Sequence, residues 1–393
     1  MKVLMINSVC GIGSTGRICT DIAQELEKQG HEVKIAYGRD GFVPEQFKKY
    51  AVRIGSDLNV KLHGLKARLF DASGFGSKRT TKIFIDWVQE YDPDVIHLHN
   101  IHGYYINVEI LFNYLKTCNK KIIWTLHDCW AFTGHCTYFE YVDCKKWKHG
   151  CTKCEQIKEY PKSIVDKSKQ NWLKKKQIFT NIPNMILVTP SEWLKRIVKT
   201  SFLHEYPINV IHNGIDLETF KERETKQTNY LRKKYDLFEK SVILGVASVW
   251  DKRKGLDFFI NLSKIIDDDY RIVIIGASHK QQESFNNKMI GIDKTHDINE
   301  LVDWYNVADV FVNPTLEDNY PTTNLEAIAC GTPVITFNTG GSPESALKYG
   351  EMVEKKNIKK LKQAIVKVIQ NPPIKEKFVL SKCQMVQLYL RYY

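Results

Sequence analysis

Asp318 and Glu326 stand eight residues apart in EDNYPTTNLEAIACGTPV, residues 317–334. The run before them, 309–315, is apolar enough for a buried strand. Asn319, Pro321, Thr322 and Thr323 punctuate a turn, and LEAIA holds helix formers. A helix that starts here presents backbone N–H groups without intrahelical partners and the positive end of its dipole, which suits a diphosphate. Carboxylates one or two turns away can hold sugar or ribose hydroxyls, because ionised Asp and Glu only accept hydrogen bonds and hydroxyls donate them. A second charged stretch, WDKRKG (250–255), follows another apolar run at 241–248. Its Lys252, Arg253 and Lys254 form a basic cluster where that run ends.

In the first half of the chain the candidate residues sit where apolar runs stop. CGIGSTGR (10–17) contains G-x-G-x-x-G at Gly11, Gly13 and Gly16, between a strand pattern and a helix pattern, which is the context of a dinucleotide-binding turn. That turn calls for an acid near the end of the second strand. Here Tyr37, Gly38 and Arg39 occupy the tip and Asp40 comes late, so the same glycines are better read as letting backbone approach an acceptor or a donor phosphate. An NAD-dependent oxidoreductase is the alternative they raise. His97, His99 and His102 lie at one strand end, and His127 and Asp128 at the next, positions that line the ligand crevice of an open α/β sheet. His97 and His99 alternate and so share a face, as a satisfied core pair would. Tyr104 and Tyr105 suit either an acceptor-facing shelf or packing.

These residues need two sheets to position them. A chain of 393 residues exceeds one ordinary core, and 43% hydrophobic with 26% charged residues describes a globular protein. Apolar runs at 3–9, 33–38, 94–100, 121–128, 185–191 and 208–214 read as buried parallel strands, most ending in Gly, Ser, Asn or His. Helical periodicity fills 18–30, 107–118 and 191–203, with Ser191 as an N-cap. Residues 217–240 are polar and read as a helical linker. A second series of runs follows at 241–248, 270–276, 288–292, 309–314 and 333–337, and 381–393 reads as an amphipathic helix. Two alternating series imply two doubly wound α/β domains. The first spans 1–216 and the second 217–377, followed by a C-terminal helix at 378–393. No apolar run reaches the eighteen residues of a membrane span, and the N-terminus lacks the pattern of a signal peptide, which points to a cytoplasmic protein.

Ten cysteines are present, and Cys136, Cys144, Cys151 and Cys154 cluster as C-x7-C-x6-C-x2-C. That spacing suits a structural zinc site folding an insertion at 129–160, with His135 and His149 as substitute ligands. Free thiols are the alternative. The formal net charge is +12, and residues 145–176 alone hold eleven Lys against three acids. Such a patch suits an anionic membrane face or nucleic acid, or is a solvated lysine face. A zinc-containing nucleic-acid binder would leave the second α/β domain and the 317–334 block without a purpose.

The 318–334 block resembles the signature of glycosyltransferase family 4, the retaining GT-B enzymes that use nucleotide-sugar donors. Gly331, Pro333, Gly340 and Gly341 extend the resemblance, which runs from about residue 1 to about 350. It implies two Rossmann-like domains facing a cleft, the first binding the acceptor and the second the donor, with the last helix crossing back to the first domain. By the same resemblance Asp318, or Glu317 beside it, holds the donor sugar, with Asn319 and Tyr320 adjoining. Glu326 binds the ribose, Lys254 holds the diphosphate, and His127 contacts the sugar or places its carbonyl near it. The family's usual Arg falls on Ser248 here, leaving Arg253 or Lys252 to supply that charge. No cofactor or catalytic metal is implied, since cations and a helix dipole replace it. The insertion with its LHNIHGYYIN and WTLHDCWAFTGHC runs resembles the branch found in bacterial colanic acid, O-antigen and capsule clusters. That branch implies a polyprenyl-diphosphate-linked acceptor and a peripheral place at the inner face of the cell membrane, with no nucleic acid partner.

Overall fold

The computed structural model describes residues 1–347, 349–374 and 379–393. The chain divides into two units, one of residues 1–213 with 382–393 and one of residues 214–381. The expected boundary at 377/378 lies outside the described residues.

The first unit is built on seven strands: β1 (Lys2–Ile6), β2 (Glu32–Tyr37), β3 (Ala51–Arg53), β4 (Val95–Leu98), β5 (Lys121–Thr125), β6 (Met185–Thr189) and β7 (Ile208–Val210). They form one parallel sheet in the order β3-β2-β1-β4-β5-β6-β7. β4 is buried at every position, and β1 and β5 at every position but the first, as expected of strands covered on both faces. Sequence order runs outward from β1 in one direction and from β4 in the other. The crevice at the carboxyl ends of β1 and β4 is therefore a topological switch point, where open α/β sheets take ligands. Gly11, Gly13 and Gly16 follow β1, and His99 and His102 follow β4, so both groups stand at that point.

The second unit repeats the plan with six strands: β8 (Ser241–Val246), β9 (Tyr270–Ile275), β10 (Met289–Ile292), β11 (Val310–Asn313), β12 (Val334–Phe337) and β13 (Gly350–Val353). Their order is β10-β9-β8-β11-β12-β13, all parallel. The switch point here falls between β8 and β11. The 250–255 loop leaves one of these strands and the 317–321 turn leaves the other, so two segments more than sixty residues apart in sequence share one crevice.

The helix Lys382–Leu390 belongs to the first unit and packs on Gly13–Lys28. Met385, Val386 and Tyr389 are its buried residues. Side chains hold it there: Tyr389 OH lies 3.1 Å from Thr125 Oγ1, Tyr393 OH lies 2.6 Å from His97 Nδ1, and Lys121 Nζ donates to the Tyr393 carbonyl. Residues 217–240 are not a free linker. Their helix, Lys226–Lys234, is capped by Thr225 and donates from Arg232 to the Val307 carbonyl at 2.8 Å. Leu231 and Leu237 enter the core of the second unit, and two leucines among many charges give too weak a period to show this in sequence.

Candidate active site

In the second unit the two loops at the switch point touch through backbone. Gly255 has φ +81°, and a Cβ on it would lie 2.3 Å from the Pro314 carbonyl oxygen, so only glycine fits. Leu316 N–H donates to the Arg253 carbonyl at 2.8 Å. This contact brings Lys254 Nζ to 2.6 Å from Asp318 Oδ2. The lysine is 27% and the aspartate 13% exposed, so the pair is only partly screened. Burial alone would raise the Asp318 carboxyl, but Lys254 and Arg253, with the Asn319 N–H on Oδ1, hold it below the usual carboxylate range. Of the two adjoining acids it is Asp318 that meets Lys254, while Glu317 is buried. Gly340 closes the other side. It has φ +57°, and a Cβ there would stand 1.9 Å from the Asp318 carbonyl oxygen, which accepts from Gly341 N–H at 3.1 Å.

The helix Thr322–Ala329 begins directly after this turn, with no side chain capping it and no acid in its first turn. Such a start favours an anion. Asn319 and Tyr320 are buried in the turn. Asn324 locks the helix by accepting from Asn313 at 2.9 Å and donating to Ser345 at 2.8 Å. Glu326 is buried on the same helix and accepts from Tyr305 OH at 2.9 Å. Tyr305 was not legible as a site residue: it lies on another helix, Ile298–Val307, and reads in sequence as core. Ser248, in place of the family's Arg, is exposed. Arg253 donates to the Glu317 carbonyl at 3.5 Å.

In the first unit the histidines form a line. His97 is a satisfied core residue, bonded to Tyr393 on one nitrogen and to Thr125 on the other at 2.8 Å. The His99 ring lies 4.1 Å from it, centroid to centroid, and bonds His127 Nε2 at 2.9 Å. Burial pushes His97 down to about 3 and His127 down to about 4, so both rings are neutral at ordinary pH. Next to His127, Asp128 bonds His102 Nε2 at 2.7 Å and caps Trp130 N–H at 2.9 Å. His99, His102, His127 and Asp128 line one cavity with about 10 Å³ for a water-sized sphere, room for a single water. The His99 Nε2 is buried without a hydrogen-bond partner among the described residues. The His127 carbonyl accepts from Tyr138 OH at 3.3 Å. Gly16 packs on Val9, while Gly13 opens the Gly13–Lys28 helix with open space beside it. Tyr105 is packing: its ring fills the space a Cβ on Gly38 would need.

The four clustered cysteines gather near one another. The Cys136 and Cys154 thiols share a hydrogen bond that, as its first effect, pushes Cys136 up and pulls Cys154 down. The Cys151 sulfur accepts from Gly134 N–H at 3.1 Å. Among the described residues, no three His, Cys, Asp or Glu side chains are arranged as a metal ligand set. Beside the cluster, His135 Nδ1 bonds buried Asp71 at 2.6 Å while its Nε2 has no partner among the described residues. Lys175 pins the insertion from below. Its Nζ donates to the carbonyls of Trp130 and Thr133 at 2.7 and 3.1 Å and lies 3.5 Å from the Trp130 ring centroid.

Residues 15–219 match the family model described as Glycosyltransferase Family 4, and residues 240–371 match that described as Glycosyl transferases group 1. The chain is 24% identical over 365 residues to WcaC of Escherichia coli (strain K12), a glycosyl transferase assigned to colanic acid biosynthesis, covering 89% of this chain and 86% of that one. Sucrose-phosphate synthase from Thermosynechococcus elongatus superposes with a TM-score of 0.67 at 16% identity, over 99% of this chain and 94% of that one. The Anabaena protein HepE, solved with UDP-glucose, superposes with a TM-score of 0.63 at 13% identity, again over 99% and 94%. At these identities the two structures establish the fold, which is GT-B.

Proposed function

The chain belongs to glycosyltransferase family 4, and on that premise we propose that it moves a sugar, with retention, from a nucleotide-diphospho-sugar to a glycan carried on a polyprenyl diphosphate during synthesis of a cell-surface polysaccharide. Membership of the family displaces the oxidoreductase and the nucleic-acid binder as readings. The observation that carries the proposal is the Lys254–Asp318 pair at the β8/β11 switch point, beside the uncapped start of Thr322–Ala329. A cation, a helix dipole and an acceptor carboxylate stand together there, which is what a diphosphate joined to a sugar requires. The binding of UDP-glucose by HepE and the assignment of WcaC to colanic acid support the donor and the pathway class.

In this reading Lys254 leaves Asp318 for the diphosphate when the donor arrives, with Arg253 adding charge. Asp318 then turns to the sugar hydroxyls and Glu326 to the ribose. In the first unit, His127 is read as a sugar contact and Gly13 and Gly16 as admitting phosphate or acceptor. The acceptor hydroxyl attacks the anomeric carbon on the face the nucleotide leaves. The bond from that carbon to the phosphate oxygen breaks as the new one forms, and the phosphate oxygen takes the acceptor's proton. Lys254, Arg253 and the helix start carry the charge that appears on the leaving group. No helix among the described residues is long and apolar enough to cross a membrane. In this reading the lipid-linked acceptor is met by a protein lying against the membrane. In the same reading Cys136, Cys144, Cys151 and Cys154 would be the ligands of a structural zinc.

The test is a thermal-shift series on purified protein with UDP-, GDP- and ADP-sugars and NAD. One sugar nucleotide is expected to raise the melting temperature, because a ligand that binds only the folded state stabilises it, and Glu326→Ala is expected to abolish that shift and the transfer. Stabilisation by NAD alone, or normal turnover by Glu326→Ala, would sink the assignment.

A further inference from the structure

The helix Asp57–Phe70 of the first unit is packed inside out. Its buried residues are His63 and Ala67, and Val60 and Gly64 are half-buried beside them. Its leucines face solvent: Leu58 is 66% exposed, Leu62 57%, Leu65 54% and Leu69 38%. Spacings of four, three and four residues place all four within an arc of about 60° at 3.6 residues per turn. Lys61 and Arg68 flank this stripe on one side and Lys66 on the other, all exposed. The one acid of the helix, Asp57, is paired with Arg53.

The stripe continues past the end of the helix. Phe70 is 53% exposed, and Ile164 and Val165 are 71% and 39% exposed. Ile164 N–H donates to the Arg68 carbonyl at 2.8 Å, which fixes that loop against the helix end. Lys167 Nζ lies 5.7 Å from the Phe70 ring centroid, and Lys162 is exposed nearby in sequence. A continuous row of exposed large apolar side chains marks an interaction surface. Its margins decide the partner. Lysine is depleted at protein–protein interfaces, whereas a leucine stripe edged on both sides by Lys and Arg is the make-up of a helix lying in a lipid headgroup layer, where anionic lipid complements the bases.

We propose that this face of the first unit lies on an anionic lipid bilayer, with Leu58, Leu62, Leu65 and Leu69 at the headgroup–acyl boundary and Lys61, Lys66 and Arg68 among the headgroups. The inference deepens the membrane part of the reading above and rests on it for its purpose, presenting the enzyme to a lipid-linked acceptor. It centres the contact on a helix outside the lysine-rich 145–176 stretch, of which only the 162–167 loop adjoins the face.

The experiment is flotation of the full chain with phosphatidylcholine vesicles, with and without phosphatidylglycerol. The protein is expected to float with the phosphatidylglycerol vesicles and to be released by salt. Leu62→Gln with Leu65→Gln is expected to cut that binding tenfold or more without lowering the melting temperature, since both side chains are exposed. Replacing Lys61, Lys66 and Arg68 by Gln is expected to remove the preference for phosphatidylglycerol. Lys145→Gln, Lys146→Gln and Lys148→Gln together are expected to leave binding within twofold. Wild-type protein that stays off the vesicles, or leucine variants that bind as wild type, would overturn the proposal. So would a dimer that the leucine substitutions dissociate, because the face would then belong to a second copy. The melting-temperature rise with a sugar nucleotide, read on the same preparations, keeps failure of this surface distinct from failure of the glycosyltransfer reading.

Discussion

Lys254 and Asp318 each look, in sequence, like a group waiting for a ligand. In the folded chain each is the other's partner at 2.6 Å. A partly buried pair of this kind is costly to break from one side, because the group left behind keeps its charge without compensation. On the proposed reading, donor binding begins with an exchange in which the diphosphate takes the lysine and the sugar takes the carboxylate. Asp318→Asn separates the two roles. It frees Lys254, so a nucleoside diphosphate without sugar is expected to bind as well as or better than to wild type, while sugar transfer falls. Lys254→Ala is expected to weaken both, with turnover down about 10²–10³-fold, the scale for losing one group that stabilises developing charge. Calorimetric titration with UDP and GDP, beside turnover of the matching sugar, reads both arms. Nucleoside diphosphate affinity that falls in parallel in both variants would mean the pair is structural.

At the scale of elements, the buried parallel strands were legible because apolar runs ending in small or polar residues can hardly be anything else. The edge strands β3 and β13 were not, since half-exposed edges carry no apolar run. The helix Asp57–Phe70 escaped because its leucines point outward, and the Lys254–Asp318 contact because nothing in sequence closes a gap of 64 residues. The insertion after β5 shows the same limit. Its cysteines drew attention, yet Lys175, which reads as one more residue of a solvated lysine face, is the buried anchor. A neutral amine has two N–H donors, and Lys175 spends both on the Trp130 and Thr133 carbonyls. Burial pushes its pKa from 10.5 down to about 7. Between those values the unfolded chain holds a proton that the folded one has released, so stability rises with pH across that window and the penalty is full below about 7. The gain is about 2 kcal/mol from pH 7 to about 9. Lys175→Met leaves both carbonyls without their donor, at roughly 1–3 kcal/mol each, and removes the titration. Urea midpoints measured across that range are expected to show wild type gaining on the variant as pH rises; parallel curves would mean that Lys175 is charged in the fold.

For the whole molecule the strongest constraint joins the two ends of the chain. The first unit is not finished when β7 is made, because its central strands still lack the helix Lys382–Leu390. That helix and the residues after it supply Tyr389 and Tyr393, both buried, to Thr125 on β5 and His97 on β4. His97 lies at the centre of a buried sheet and is neutral, so a lost partner there leaves a polar nitrogen with neither water nor protein to meet it, a cost of roughly 1–3 kcal/mol. The His99 ring lies tilted against His97 and bonds His127, so the same loss reaches His127. Tyr393→Phe removes one hydroxyl and no packing. It is expected to lower stability by about that amount and to raise amide exchange in β4 and β5 while β8 and β11 keep their protection. Ending the chain at Ser381 exposes Thr125, His97 and the flank of Gly13–Lys28 at once, and is expected to unfold the first unit while the second still melts cooperatively and still gains stability from a sugar nucleotide. Hydrogen exchange read strand by strand distinguishes the outcomes. If the truncated chain protects β4 and β5 as the full chain does, the C-terminal helix is an ornament on a finished sheet, and the histidine line owes its geometry to the strands alone.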